Sequence, residues 1–176
     1  GPRFHDVANL DSDAVPIHPA RGIGALRKAL PRDAALLVDS GAHRAFAGHY
    51  FDAYAPRTYI SATNLGPMGW GIPAAVGVAC ARPGTRVALV TGDGCMQMHG
   101  IEIAVAARYR LPILYVVLNN GALGNVWLRA HSLGPVPAEL TTVPDHDFAG
   151  FARALGLAAE TVREPAEIGP AIARAL

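Results

Sequence analysis

Apolar positions along this chain follow two patterns that alternate, and the alternation predicts the fold. Unbroken apolar runs occupy Ala34–Gly41 (AALLVDSG), Arg86–Val90 (RVALV) and Pro112–Leu118 (PILYVVL). Such runs lack polar alternation, as strands do when both faces are covered. RTYISA at 57–62 is a weaker strand candidate, and AAETV at 158–162 reads as a last strand. Between these runs the spacing becomes helical. Ile23, Leu26 and Leu30 share a face of a helix over His18–Pro31, which Pro31 closes. Pro67–Ala81 predicts a helix whose Gly71, Ala75 and Ala79, four apart, allow another backbone close. His99–Arg110 predicts a helix with His99 at its start and Glu102 as a helix-face or interface carboxylate. The triplet Asp145–Asp147 is expected to supply the N-cap of a helix carrying Phe148, Phe151 and Leu155. A closing helix follows, with Pro165 near its start. Residues 3–17 have no period and read as an extended lead-in. Strands alternating with helices predict an α/β fold: a doubly wound, mostly parallel sheet with helices on both faces. One domain is expected over 18–176, after a lead-in over 1–17.

Composition narrows the function classes. Of 176 residues, 51% are hydrophobic and 16% charged, and the formal net charge is +1. No basic block suggests nucleic acid, and no apolar run nears the ~18 residues of a membrane span. A cytoplasmic protein is expected, without a signal peptide. Cys80 and Cys95 stand far apart, which argues against a disulfide framework or a zinc site. Gly1-Pro2 reads as a protease-cleavage scar. Low charge with many glycines and alanines suggests a surface that a partner covers.

The candidate chemistry lies at the strand ends, where ligands bind in such sheets. Asp39-Ser40-Gly41, Gly92-Asp93-Gly94 and Asn119-Asn120-Gly121 each follow an apolar run. Asp-Gly and Asn-Gly are ordinary turn dipeptides, so each alone could be a solvated turn. A hairpin at Asn120-Gly121 is disfavoured, because the residues after it do not alternate. Neither a dinucleotide-binding glycine fingerprint nor a nucleoside-triphosphate loop is present. One helix separates the second and third motifs, so a right-handed crossover can bring Asp93 and Asn120 to one point. A carboxylate, an amide oxygen and a backbone carbonyl would suit a hard divalent cation that keeps sites for phosphate oxygens.

Gly-Asp-Gly, 24 intervening residues and then Asn-Asn resembles the signature of thiamine diphosphate-dependent enzymes. Leu65–Ala75 (LGPMGWGIPAA) and Gly92–Gly124 resemble the acetolactate synthase branch, in its C-terminal diphosphate-binding domain. VDSGAHRAFAGHYF falls where that domain has its first phosphate-contacting loop, and PDHDFAGFARALG at its last-but-one helix. The resemblance implies thiamine diphosphate and Mg²⁺ as cofactors. It implies Asp93, Asn120 and the Ala122 carbonyl as metal ligands. Gly94 and Cys95 would present N–H groups to the diphosphate, and Cys95 either its thiol or only a small buried side chain. Leu123 and Gly124 continue the cofactor-binding loop. His43 corresponds to a donor to the terminal phosphate, although Ala42 replaces the glutamine that usually precedes it. Met68 corresponds to the bulky residue that props the cofactor's bend, and Gly66 to the carbonyl that accepts from its pyrimidine amine. Asn125 and Arg129 stand where relatives carry Met and Trp, which implies a pocket for a donor or acceptor more polar than pyruvate; a solvated Arg129 is the alternative.

The implied reaction is decarboxylation of a small 2-oxo acid and transfer of the acyl unit to an acceptor. It requires a glutamate against the pyrimidine, carried by a separate pyrimidine-binding domain across a subunit boundary. No glutamate here sits in a matching motif, so this chain is expected to hold no catalytic acid or base. The expectation is one subunit of a split enzyme, inactive alone and assembled as two copies of each chain. An excised C-terminal domain and a non-catalytic scaffold of the same fold are the alternatives.

Overall fold

A computed structural model describes residues 6–176; Gly1-Pro2 lies outside the described residues. Among the described residues four strands, β1 (Ala35–Val38), β2 (Tyr59–Ser61), β3 (Val87–Gly92) and β4 (Ile113–Leu118), form one wholly parallel sheet in the order β2-β1-β3-β4. The α-helices among the described residues are α1 (Pro19–Ala29), α2 (Ala42–Tyr50), α3 (Gly71–Ala81), α4 (Asp93–His99), α5 (Ile103–Tyr109), α6 (Gly124–Leu133), α7 (Phe148–Ala154) and α8 (Ile168–Ala175).

Period-two alternation divides the sheet's side chains between two cores. Leu36, Val38, Ala88 and Val90 face α1, α2 and α8 through Ile23, Leu26, Ala47 and Ile172. Leu37, Val87 and Leu89 face α3 and α5 through Ile72, Ala75, Ala79 and Ile103. The doubly wound expectation holds, and β1 and β3, buried at every residue, are its centre. The small-residue face of α3 meets this sheet itself. A Cβ built on Gly71 would come 2.7 Å from Leu89 Cδ1.

Several expectations are corrected. The lead-in contains a 3₁₀ turn, Val7–Asp11, whose Leu10 packs on Gly24 of α1. The segment after β1 is the helix α2 rather than a loop. The helix expected from His99 begins at Asp93 instead. His99 ends α4, and a 3₁₀ turn at Gly100–Glu102 leads into α5. Strand β4 is only half-buried, because it is the edge of the sheet. AAETV joins no ladder and is not a strand. It still packs: Leu157 just before it joins one core, and its own Val162 joins the other. Asp147 does cap α7, accepting from the Gly150 N–H.

Candidate functional site

Parallel pairing sets the site. Val90 lies beside Val116 and Gly92 beside Leu118, so the residues after β3 and β4 emerge side by side. Asp93 opens α4 with its carboxylate turned inward, 3% exposed. Its Oδ1 accepts from the Gly94 N–H at 2.7 Å, and its Oδ2 accepts from Asn120 N–H at 3.1 Å and Gly121 N–H at 2.7 Å. One carboxylate thus fastens the two strand ends together. An ionised carboxylate offers about four lone-pair sites, so three N–H donors leave Asp93 capacity for one cation.

Gly121, in the left-handed region at φ 65°, turns the chain after Asn120. Residues 121–123 then pair antiparallel with 141–143: Leu123 N–H donates to Thr141 at 2.9 Å and Val143 N–H to Gly121 at 2.9 Å. This pairing places Ala122 beside Asn120, whose Oδ1 accepts from the Ala122 N–H at 3.4 Å.

The glycines make a shallow cradle. A Cβ built on Gly94 would come 2.8 Å from Leu123 Cδ2 and 2.9 Å from Met68 Cε. One on Gly124 would come 3.0 Å from Ala42 Cβ and 3.5 Å from Asn120 Nδ2. His43, in the first turn of α2, lies against Gly41 and Gly92, 7% exposed. Its Nε2 is buried without a hydrogen-bond partner. Burial lowers the imidazole pKa against the raising influence of Asp39 and Asp93, and the unpartnered nitrogen remains for a ligand.

A family model described as thiamine pyrophosphate enzyme, C-terminal TPP binding domain, matches residues 39–176. The chain belongs to this family. It is 36% identical to the acetolactate synthase isozyme 3 large subunit of Escherichia coli (strain K12), over 99% of this chain and 30% of that protein. It is 42% identical to the acetolactate synthase large subunit of Buchnera aphidicola subsp. Schlechtendalia chinensis, over 67% of this chain and 21% of that one. An acetolactate synthase of Arthrospira platensis is 37% identical over 75% of this chain and 23% of its own length. The chain therefore spans less than a third of these relatives.

The residues of this TPP-binding domain fit a diphosphate and a metal ion on three observations. His43 carries an orphaned buried nitrogen, Gly94 and Gly124 stand where an added Cβ would collide with Leu123, Met68 or Ala42, and Asp93 has spare acceptor capacity. Among the described residues no group of three or more His, Cys, Asp or Glu could hold a metal. A cation here would therefore rely on Asp93 with amide and carbonyl oxygens, a set suited to Mg²⁺.

The structure brings His43, Met68, Gly94, Leu123, Asn120 and Gly124 to this one edge of the sheet. It treats three other residues differently. The Cys95 thiol is buried and donates to the Ser40 carbonyl at 3.2 Å, so its side chain is spent inward and its backbone N–H is what remains for a ligand. Asn125 and Arg129 are exposed on α6. The cleft beside Asn120, about 440 Å³, is lined instead by Ala42, Ala122, Trp127, Leu128 and Thr142 among others. Helical geometry explains the difference. Gly124, Trp127 and Leu128 share one face, and Asn125 and Arg129 lie on the next.

Sequence reasoning placed Asp39-Ser40-Gly41 among the strand-end motifs but gave Asp39 and Ser40 no role. Asp39 is 1% exposed, and its Oδ1 accepts from the N–H groups of Ser40 at 2.8 Å and Gly69 at 3.0 Å. The Ser40 hydroxyl donates to the Gly66 carbonyl at 2.6 Å. A carboxylate ending a fully apolar run was the available signal, since it must find donors wherever it is buried.

Proposed function

We propose that this chain supplies the diphosphate- and Mg²⁺-binding half of an acetolactate synthase-like site. The assembled enzyme would decarboxylate a small 2-oxo acid and pass the acyl unit to an acceptor. The observation that carries this reading is Asp93, buried and fastened by N–H groups of both strand ends beside Asn120. Asp93, Asn120 and the Ala122 carbonyl would hold Mg²⁺. The Cys95 N–H, in the first turn of α4, would meet a diphosphate oxygen, with His43 beside the terminal phosphate; the Gly94 N–H would join it only by turning away from Asp93 Oδ1, to which it donates at 2.7 Å. Bound thiamine diphosphate supplies the nucleophilic carbon and the electron sink that the protein's own side chains lack. Met68, against Gly94 and Leu123, would support the bent cofactor, and the Gly66 carbonyl would accept from its pyrimidine amine. Trp127 and Leu128 would wall the outer side of the cleft.

The glutamate that activates the pyrimidine would come from a pyrimidine-binding domain outside these residues. A separate subunit, in a complex with two copies of each chain, is the arrangement we propose; a further part of a longer polypeptide would supply the same group. Isothermal titration of the assembled enzyme with thiamine diphosphate, with and without EDTA, tests the metal site. Binding should require Mg²⁺ in the wild type and vanish in Asp93→Ala. Unchanged affinity in that variant would sink the assignment.

A further inference from the structure

We propose that Asp39 and Ser40 are positioning residues that clamp the Gly66–Gly69 turn and thereby set Met68 and the Gly66 carbonyl for the aminopyrimidine end of the cofactor. This rests on the thiamine diphosphate reading above. The turn Gly66-Pro67-Met68-Gly69 has a left-handed glycine at each end, at φ 66° and 82°. Glycines reach many other conformations at little steric cost, so such a turn does not hold its own shape. Here each glycine is tied to one of two consecutive residues at the end of β1. The Ser40 hydroxyl donates to the Gly66 carbonyl at 2.6 Å, and the Gly69 N–H donates to Asp39 Oδ1 at 3.0 Å.

The clamp is itself held rigidly. Asp39 Oδ2 accepts from the Thr91 hydroxyl at 3.1 Å, which links it to β3. A Cβ on Gly71 would come 3.1 Å from Asp39 Cγ, so the start of α3 closes over the carboxylate. From this turn Met68 reaches the Gly94 cradle, where its Cε would lie 2.9 Å from an added Cβ. A carbonyl oxygen has two lone pairs. Ser40 uses one at Gly66, which leaves the other for a ligand amine. Fixing the turn before binding removes an ordering cost that the cofactor would otherwise meet.

The test separates the two ends of the cofactor. The assembled enzyme is titrated with Mg²⁺ and thiamine diphosphate, and separately with Mg²⁺ and inorganic diphosphate, while amide exchange is followed at Gly66, Met68 and Gly69. Ser40→Ala should weaken thiamine diphosphate about five- to tenfold, roughly the loss of one hydrogen bond. Inorganic diphosphate should stay within about twofold, and exchange at Gly69 should quicken. Ser40→Thr, which keeps the hydroxyl, should restore both readouts, and Asp39→Asn should quicken exchange at the same amide. Parallel weakening of both ligands, or no weakening, would overturn the positioning role. So would failure of Ser40→Thr to restore it. Unchanged exchange in both Ser40→Ala and Asp39→Asn would overturn the clamp itself. A wild type that binds neither ligand would instead overturn the cofactor reading, and the positioning role with it.

Discussion

At the residue scale, the buried polar groups of the site give separable signatures. His43 has its pKa lowered from an ordinary 6.5 by burial, against the opposing carboxylates. The unfolded chain therefore takes up its proton at higher pH than the folded chain does. Stability is unaffected above about 6.5 and falls as pH drops through the window below it. Urea denaturation between about pH 7 and pH 5 should show this decline, and His43→Gln should flatten it. The Cys95 thiol, raised by burial to about 11, contrasts with the exposed Cys80. Iodoacetamide should label Cys80 in the folded chain and Cys95 only after denaturation, as mass spectrometry of the peptides would show. Native labelling of Cys95 would contradict its packing under Ser40. Among these residues, Asp93 and Asn120 are legible from sequence because short, local motifs carry them. The burial of His43 is not legible, since it depends on Gly41 and Gly92 lying against the ring.

At the element scale, α3 allows a paired comparison. Gly71 and Gly77 both lie within it, and alanine ordinarily favours a helix by about 1 kcal/mol. Gly77 is exposed with nothing within 4 Å of an added Cβ, so Gly77→Ala should stabilise by about 0.5–1 kcal/mol. At Gly71 the same Cβ meets Leu89 and Asp39. Gly71→Ala should destabilise by about 1–3 kcal/mol through overpacking. Thermal melts of the two variants should move in opposite directions. Equal shifts would mean that the close approach of α3 to the sheet is not what holds Gly71. The small-residue spacing of this helix was visible in the sequence, but the surface it meets was not. Likewise α2 was missed although Phe46, Ala47 and Tyr50 have helical spacing, because the phosphate-loop resemblance of its first residues outweighed that pattern.

At the scale of the whole molecule, the site is open along one side. Helix α6 has no buried residue, and it exposes Trp127 and Leu128 beside the cleft and Leu133 beyond it. Exposed apolar surface of this kind would suit the partner domain proposed above. The chain alone should release no CO₂ from a 2-oxo acid in the presence of thiamine diphosphate and Mg²⁺, and release should begin once a pyrimidine-binding partner is added. Turnover by the chain alone would show that the missing glutamate has a substitute here. Among the described residues no helix is long and apolar enough to cross a membrane. The sequence by itself determined the apolar runs that become β1, β3 and β4, the parallel class of the sheet and the family motifs, because hydrophobic period and strand-end chemistry are written within a few residues. Only the tertiary structure decided that AAETV stays unpaired, that Trp127 and not Arg129 faces the cleft, and that Asp39 and Ser40 grip a turn 26 to 30 residues away. Those outcomes depend on which segments meet across the sheet, and a hydrogen bond between distant residues leaves no period along the chain.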